Sequence, residues 1–117
     1  MEKTLVSKDR RHTLRTWMNR PGRIRVDGRQ GYMQVADISA RGAAVYCATS
    51  IAPGTEVELQ FHLNLHPEVV ELVMRGRVNR SDERGDSHLV RIVFIDPTLH
   101  ALETITRFID LKRHQPA

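Results

Sequence analysis

Alternation of apolar and polar residues is the clearest pattern in this chain. One segment has an apolar residue at every second position, namely Val57, Leu59, Phe61, Leu63 and Leu65. A period of two is typical of a β-strand with one face buried and the other in water. Shorter patterns of the same kind predict five more strands, around residues 23–27, 32–38, 43–48, 70–78 and 88–95.

The spacing of apolar residues changes near the C-terminus and predicts a helix there. Its apolar stripe consists of Leu99, Leu102, Ile105, Phe108 and Ile109. We expect Asp96 to cap this helix, with Pro97 at its first position. Lys112 and Arg113 suit the opposite end, where cations interact favourably with the helix dipole.

Six strands and one helix in 117 residues indicate a single, mainly β domain. Turn-forming residues separate the strands at 27–31, 39–42, 52–54 and 80–86. Because closure removes exposed strand edges, the pattern favours a six-stranded antiparallel β-barrel whose open side or mouth is covered by the helix. Residues 1–21 show neither the spacing of apolar residues typical of a strand nor that of a helix, and they end in a Pro-Gly pair that breaks regular structure. We therefore interpret residues 1–21 as a flexible arm and residues 22–117 as the barrel with its helix.

Positive charge is concentrated near the N-terminus. The first 25 residues contain eight basic and two acidic residues, whereas the remaining 92 contain ten basic and twelve acidic residues. Six of those eight are arginines, whose guanidinium groups bind phosphate and guanine with two parallel hydrogen bonds. A localised basic arm therefore predicts an anionic partner, which is a phosphate, a nucleic acid, a membrane surface or an acidic protein.

Several classes of protein are excluded by the remaining composition. Cys47 is the only cysteine, which excludes a disulfide framework and a zinc knuckle and favours a reducing cytoplasm. We expect this thiol to be a small buried apolar group. No apolar run is long enough to span a membrane, and the N-terminus lacks the apolar core of a secretory signal. His62 and His66 lack a third ligand, so we expect no metal site, and Ser39 lacks a readable base partner, so we expect no catalysis.

The first motif with candidate chemistry is RxxxR, from Arg11 to Arg15, with Arg10 directly before it. Guanidinium groups match phosphate oxygens and also the O6 and N7 acceptors of guanine. Arginines on a flexible arm are therefore suited to bind an anionic guanine nucleotide.

The second motif is DxSxxG, from Asp37 to Gly42, between two predicted strands. A carboxylate such as Asp37 accepts hydrogen bonds from guanine N1–H and N2–H₂, which arginines cannot do. Ser39 either bonds the base or stabilises the turn. Gly42 either permits a positive φ or lets a ligand lie against bare backbone.

With both motifs in this order, the chain resembles the PilZ domain family, the bacterial receptors for cyclic di-GMP. The resemblance covers about residues 8–110 and includes Pro53-Gly54, Arg75-Gly76-Arg77-Val78 and Val93-Phe94. It implies a six-stranded barrel with a C-terminal helix, the fold that the hydrophobic pattern also predicts. It further implies a cytoplasmic signalling receptor that binds a second messenger and has neither enzymatic activity nor a cofactor.

The resemblance also implies roles for individual residues. Arg11 and Arg15 would grip phosphates and guanine Hoogsteen edges, and Asp37 and Ser39 would hold a guanine from the barrel surface. Gly42 would keep the turn open to the ligand. In the family, an arginine at the position of Arg10 accompanies an intercalated cyclic di-GMP dimer, which favours two nucleotides per chain.

Two further residues are additional ligand candidates. Trp17 lies between arginines, and we expect it to plug one end of the barrel; the alternative is that it stacks on a guanine or an arginine. Arg41 stands where family members often have a small residue. It either points away from the ligand or adds a phosphate contact.

Three functions are compatible with the sequence. The leading hypothesis is a cyclic di-GMP receptor whose arm folds onto the barrel and whose new surface regulates an unidentified downstream protein, for instance in motility, pilus or polysaccharide control. The second is a barrel that binds nucleic acid through its basic arm, although six aromatic residues supply few stacking surfaces. The third is a PilZ-type adaptor without a ligand, against which the intact motifs argue. We expect neither DNA binding nor membrane insertion.

Overall fold

The computed structural model of the protein describes residues 15–113. This part of the chain contains six strands and one helix, in the order that the hydrophobic pattern predicts. The strands are β1 (Arg15–Val26), β2 (Arg29–Ser39), β3 (Gly42–Cys47), β4 (Glu56–Asn64), β5 (Val69–Arg84) and β6 (Ser87–Phe94), and the helix α1 is Leu99–Arg113.

The strands form a closed antiparallel barrel in the order β1-β2-β3-β6-β5-β4. Pairing of β4 with β1, from Gly22 opposite Phe61 to Val26 opposite Val57, closes the ring. Closure leaves no strand edge open along this segment, which is the physical reason for preferring a barrel. The predicted six-stranded barrel is confirmed.

The core fills the barrel interior and continues under the helix. Alternate residues of each strand point inward, and Val35, Val45, Leu59, Phe61 and Val90 are at most 1% exposed. Each such side chain contributes about 1.5–3 kcal/mol on burial. The helix adds a second layer, since its inward-facing residues belong to the same cluster; these are Ala101, Ile105, Phe108 and Ile109.

The cap of the helix lies two residues later than predicted. Thr98, not Asp96, caps α1, because its Oγ1 accepts a hydrogen bond from the Ala101 N–H at 3.0 Å. Asp96 instead has a φ of 45° in the bend after β6. Leu99, predicted as part of the buried stripe, is 71% exposed, since the stripe starts only at Ala101. Among residues 15–113, no helix is long and apolar enough to cross a membrane.

The boundary of the predicted arm was wrong at residues 15–21, which are part of β1. Proline was expected to end the strand pattern, but Pro21 is tolerated because β1 pairs there only with β2. Pairing with β4 begins one residue later, at Gly22. A register shift between Trp17 and Arg20 shows where the strand is irregular.

Two predicted turns are shorter than the sequence suggested. The first hairpin turns in two residues, Asp27 and Gly28, both with positive φ, so β2 already begins at Arg29. The β5–β6 hairpin turns at Gly85 and Asp86, and β5 runs through the polar segment that was assigned to a loop. Polar residues fit a strand here because most of their side chains remain in water.

Close approach of β3 to β6 explains the glycine at position 42. Gly42 pairs with Val93, and a Cβ added to it would overlap the backbone carbonyl oxygen of Ile92. A Cβ at Gly76 of β5 would overlap the Ile92 side chain in the same way. The positive-φ glycines of residues 15–113 are Gly28, Gly54 and Gly85, so Gly42 is required for packing and not for backbone conformation.

We expect Gly42→Ala to lower the free energy of unfolding by about 1–3 kcal/mol or more, because backbone atoms of β6 must move to admit the methyl group. Gly31→Ala is the matched control, since a Cβ there meets nothing within 4 Å. It should leave stability unchanged or raise it by up to about 1 kcal/mol. Urea unfolding of both variants measures the difference, and equal stabilities would contradict the packing explanation.

Cys47 is 6% exposed, as expected for a small buried apolar group. Burial raises the pKa of its thiol from 9.0 to about 11. Since the thiolate is the reactive form, we expect alkylation at pH 8 to be about 100-fold slower in the folded protein than in urea.

The same shift makes stability depend on pH. The unfolded chain loses the Cys47 proton first, so the stability that the neutral thiol contributes is present below pH 9 and lost as the pH rises from 9 towards 11. Cys47→Ala should lack this part of the pH dependence.

Candidate functional site

The second motif and the start of β1 meet at one end of the barrel. Arg15 lies directly opposite Ser39, and Trp17 lies opposite Asp37. One pocket of about 160 Å³ is lined by Arg15 of the first motif and by Asp37, Ser39, Arg41 and Gly42 of the second. Arg10 and Arg11, the other predicted ligand residues, lie outside the described residues.

The carboxylate of Asp37 is the buried acceptor of this pocket. Its side chain is 5% exposed, and one oxygen lies 3.7 Å from an Nη of Arg15. The Arg15 side chain is 55% exposed, and the separation exceeds that of an N–H···O hydrogen bond. The carboxylate therefore lies in the barrel wall, whereas the contact of the guanidinium within residues 15–113 is a solvent-screened ion pair.

Ser39 stabilises the turn between β2 and β3. Its Oγ accepts hydrogen bonds from the backbone N–H groups of Arg41 and Gly42, each at 3.2 Å. Its hydroxyl also lies 3.3 Å from the Gly42 carbonyl oxygen, to which it donates. Of the two roles left open by the sequence, turn stabilisation is therefore the one that these contacts show.

Arg41 has a fixed backbone and an exposed side chain at the pocket. Its N–H is bound by Ser39, and its carbonyl oxygen accepts from the Phe94 N–H at 2.9 Å. The residue lines the pocket, so its guanidinium is available to an anionic ligand there.

Trp17 does not plug the barrel, as the sequence analysis expected. It is 75% exposed on the outer face, beside Asp37. Apolar cover for the core comes from α1 instead, with Ile105 and Phe108 in the core cluster. The indole is thus placed in solvent next to the pocket.

Asn79 and Arg91 also line the pocket and were not singled out in the sequence. Arg91 lies directly opposite Ala44, one strand away from the motif. Neither residue belongs to a local sequence motif, because β5 and β6 are brought to the site only by the pairing of strands in the closed barrel. The sequence signal for Arg91 was that it is the one charged residue of the apolar segment 89–95.

A larger cavity of about 720 Å³ opens at the opposite end of the barrel. Its wall includes Asp27, Arg29 and the loop at residues 48–52. This cavity contains no residue of either motif and pairs one acidic with one basic side chain. The smaller pocket is the better candidate site because its charged groups converge.

The two histidines considered for a metal site lie on the β4 side. His62 is within 3.8 Å of the Glu71 carboxylate at the surface. Within residues 15–113, no three His, Cys, Asp or Glu side chains are grouped as metal ligands would be.

Comparisons with known proteins agree with this fold. A sequence model of the PilZ domain matches residues 9–111. A search of curated protein sequences finds no match. Among solved structures, the chain is similar to the Bacillus subtilis inhibitor of motility MotI/DgrA, with a TM-score of 0.79 and 18% identity over 89% of this chain and 51% of that one.

Two other similar structures contain a cyclic dinucleotide. The PilZ domain of Escherichia coli YcgR with c-di-GMP has a TM-score of 0.67 and 15% identity, covering 89% of this chain and 92% of that one. The K. pneumonia MrkH–c-di-GMP complex has a TM-score of 0.67 and 16% identity, covering 91% of this chain and 56% of that one.

This chain spans about half the length of MotI and of MrkH, and at these identities the structural likeness shows the fold alone. The sequence match carries the assignment further, because it extends over nearly the whole barrel and helix. The protein belongs to the PilZ domain family.

Proposed function

We propose that this protein is a receptor for cyclic di-GMP. The observation that carries the proposal is the pocket at the end of β2, where Arg15, Asp37 and Gly42 meet. Arg15 comes from the RxxxR motif, and Asp37 and Gly42 come from the DxSxxG motif, so the pocket joins two motifs that are far apart in the chain. The YcgR and MrkH structures, which share this fold, are complexes with c-di-GMP.

The chemistry of the pocket suits a guanine base. Asp37 presents a carboxylate that is nearly buried, and guanine offers two adjacent donors, N1–H and N2–H₂. A buried carboxylate without hydrogen bonds is unfavourable, so two hydrogen bonds from guanine to Asp37 would strongly stabilise the complex. Arg15 and Arg41 place positive charge at the rim, where the phosphates of the same ligand would lie.

The size of the pocket favours a ligand that extends beyond it. Ligand pockets are typically about 300–1,000 Å³, whereas this one measures about 160 Å³. A second depression of about 390 Å³ adjoins it and shares Asn79 and Val93. We propose that the ligand also contacts Arg10 and Arg11 and binds as an intercalated dimer, which would occupy this larger surface.

The receptor acts without catalysis in this proposal. Ligand binding brings Arg10 and Arg11 against the barrel, and a downstream protein in the bacterial cytoplasm reads the resulting surface. Several charge-assisted contacts are required, because ordering chain residues costs conformational entropy.

Single-stranded nucleic acid is the second candidate ligand. The sequence predicted few exposed aromatic residues, but Trp17 and Tyr32 are 75% and 83% exposed on neighbouring strands. Tyr32 lies opposite Arg23, so an aromatic and a cationic side chain are neighbours on this face. Strong salt dependence and equal affinity for unrelated oligonucleotides would identify this function.

We expect isothermal titration calorimetry to detect saturable binding of cyclic di-GMP. Arg15→Ala and Arg11→Ala should each weaken binding by about 10- to 100-fold, the value of one charge-assisted hydrogen bond. Arg25→Ala is the matched control, because Arg25 is an exposed arginine of β1 that pairs with Glu58 at 3.7 Å, away from the pocket. Its affinity should equal that of the wild type.

A stoichiometry of two nucleotides per chain would support the intercalated dimer. Absence of binding by the folded wild-type protein would refute the proposed function, and an oligonucleotide would then be the next titrant.

Trp17 gives a direct optical test, because it is the only tryptophan of the chain. If a guanine stacks on the indole, ligand should quench its fluorescence in step with the calorimetric saturation. Stacking contributes about 1–3 kcal/mol, so Trp17→Ala should weaken binding by roughly 5- to 150-fold, and Trp17→Phe by less. Unchanged fluorescence at saturation would exclude this contact.

A further inference from the structure

A single row of side chains crosses the outer face of the barrel beside the pocket. Trp17 on β1 lies opposite Asp37 on β2, and Asp37 lies opposite Ala44 on β3. Ala44 in turn lies opposite Arg91 on β6, whose other neighbour is Arg80 on β5. Residues directly opposite one another face the same side of a sheet. Asp37, Ala44 and Arg91 all line the pocket.

The row leaves a slot between an acidic and a basic side chain. Neighbouring strands are about 4.8 Å apart, so the backbones of Asp37 and Arg91 are separated by roughly 10 Å. Ala44, which lies between them, is 3% exposed and contributes only a methyl group. A purine in the pocket that these three residues line would have the carboxylate at one edge and the guanidinium at another.

Arg91 is incompletely partnered. Its Nε is buried and has no hydrogen-bond partner among the described residues. The same Nε lies 4.0 Å from Oδ2 of Asp82, an oxygen that accepts a hydrogen bond from the Arg80 Nε at 3.0 Å. Buried donors are normally hydrogen-bonded, and a guanidinium carries five N–H groups. Asp82 thus approaches Arg91 without satisfying its Nε, and Arg91 itself lines the pocket.

We propose that Arg91 donates hydrogen bonds to O6 and N7 of the guanine whose N1–H and N2–H₂ edge is bound by Asp37. The proposal rests on the proposed function and adds a residue that determines base specificity. Adenine carries an amino donor in place of O6, so it would meet the guanidinium with like polarity. The arginines of the RxxxR motif are then left for the phosphates and for a second guanine.

The test combines a protein variant with a change of one ligand atom. Cyclic di-GMP and its 7-deaza analogue, in which C–H replaces N7, are titrated into the wild type and Arg91→Met. We expect Arg91→Met to bind cyclic di-GMP about 10- to 100-fold more weakly. The analogue should bind the wild type more weakly than cyclic di-GMP does, and this ratio should shrink towards one in the variant.

Arg75→Met is the control, since Arg75 is an arginine of β5 whose Nη lies 3.4 Å from Glu56, outside the pocket. It should preserve both affinities. Should Arg91→Met fail to fold, Arg91→Lys keeps the charge but lacks the planar fork, and it too should reduce the ratio between the two ligands.

Each outcome separates this inference from the proposed function. If the wild type binds cyclic di-GMP and the analogue loses the same factor on wild type and variant, Arg91 makes no contact with N7 and this inference alone fails. Unchanged affinity of Arg91→Met for cyclic di-GMP would overturn it as well. If the folded wild type binds neither ligand, the proposed function and this inference fail together.

Discussion

Pairing of β3 with β6 is the contact on which the site depends. It joins the half of the barrel formed by β1, β2 and β3 to the half formed by β4, β5 and β6, with Gly42 against the backbone of Ile92. The same register sets Ala44 opposite Arg91 and thereby brings a guanidinium from β6 to the pocket of the β2 motif. A shift by one residue would turn Arg91 inward and Ile92 outward, so core packing and site geometry require the same register.

The pocket combines a rigid acceptor with adaptable donors. Asp37 is held in the barrel wall and is nearly buried, whereas Arg15 and Arg41 extend from the rim into water. A buried carboxylate is costly without a cationic partner, and Arg15 supplies one at 3.7 Å. Because the wall is already ordered, binding to Asp37 adds little to the entropic cost, which would come from immobilising the arginines that contact the ligand.

Local patterns predicted the elements well and their ends less well. Alternation along β4 and the three-residue spacing along α1 report which side of an element is buried, and that is decided within a few residues. The errors at Pro21, Asp96 and Leu99 have another cause. A proline is tolerated where one neighbouring strand is missing, and a cap depends on the direction in which the chain leaves β6.

By itself the sequence determined the number of strands, the terminal helix, the buried thiol and the two motifs, because these follow from short-range periodicity and residue chemistry. The tertiary structure alone decided that Trp17 lies in solvent, that Gly42 serves packing and that Arg91 reaches the pocket. Each of these depends on which residues of different strands stand opposite one another. Barrel closure selects that register through the fit of the whole core, and no local segment encodes it.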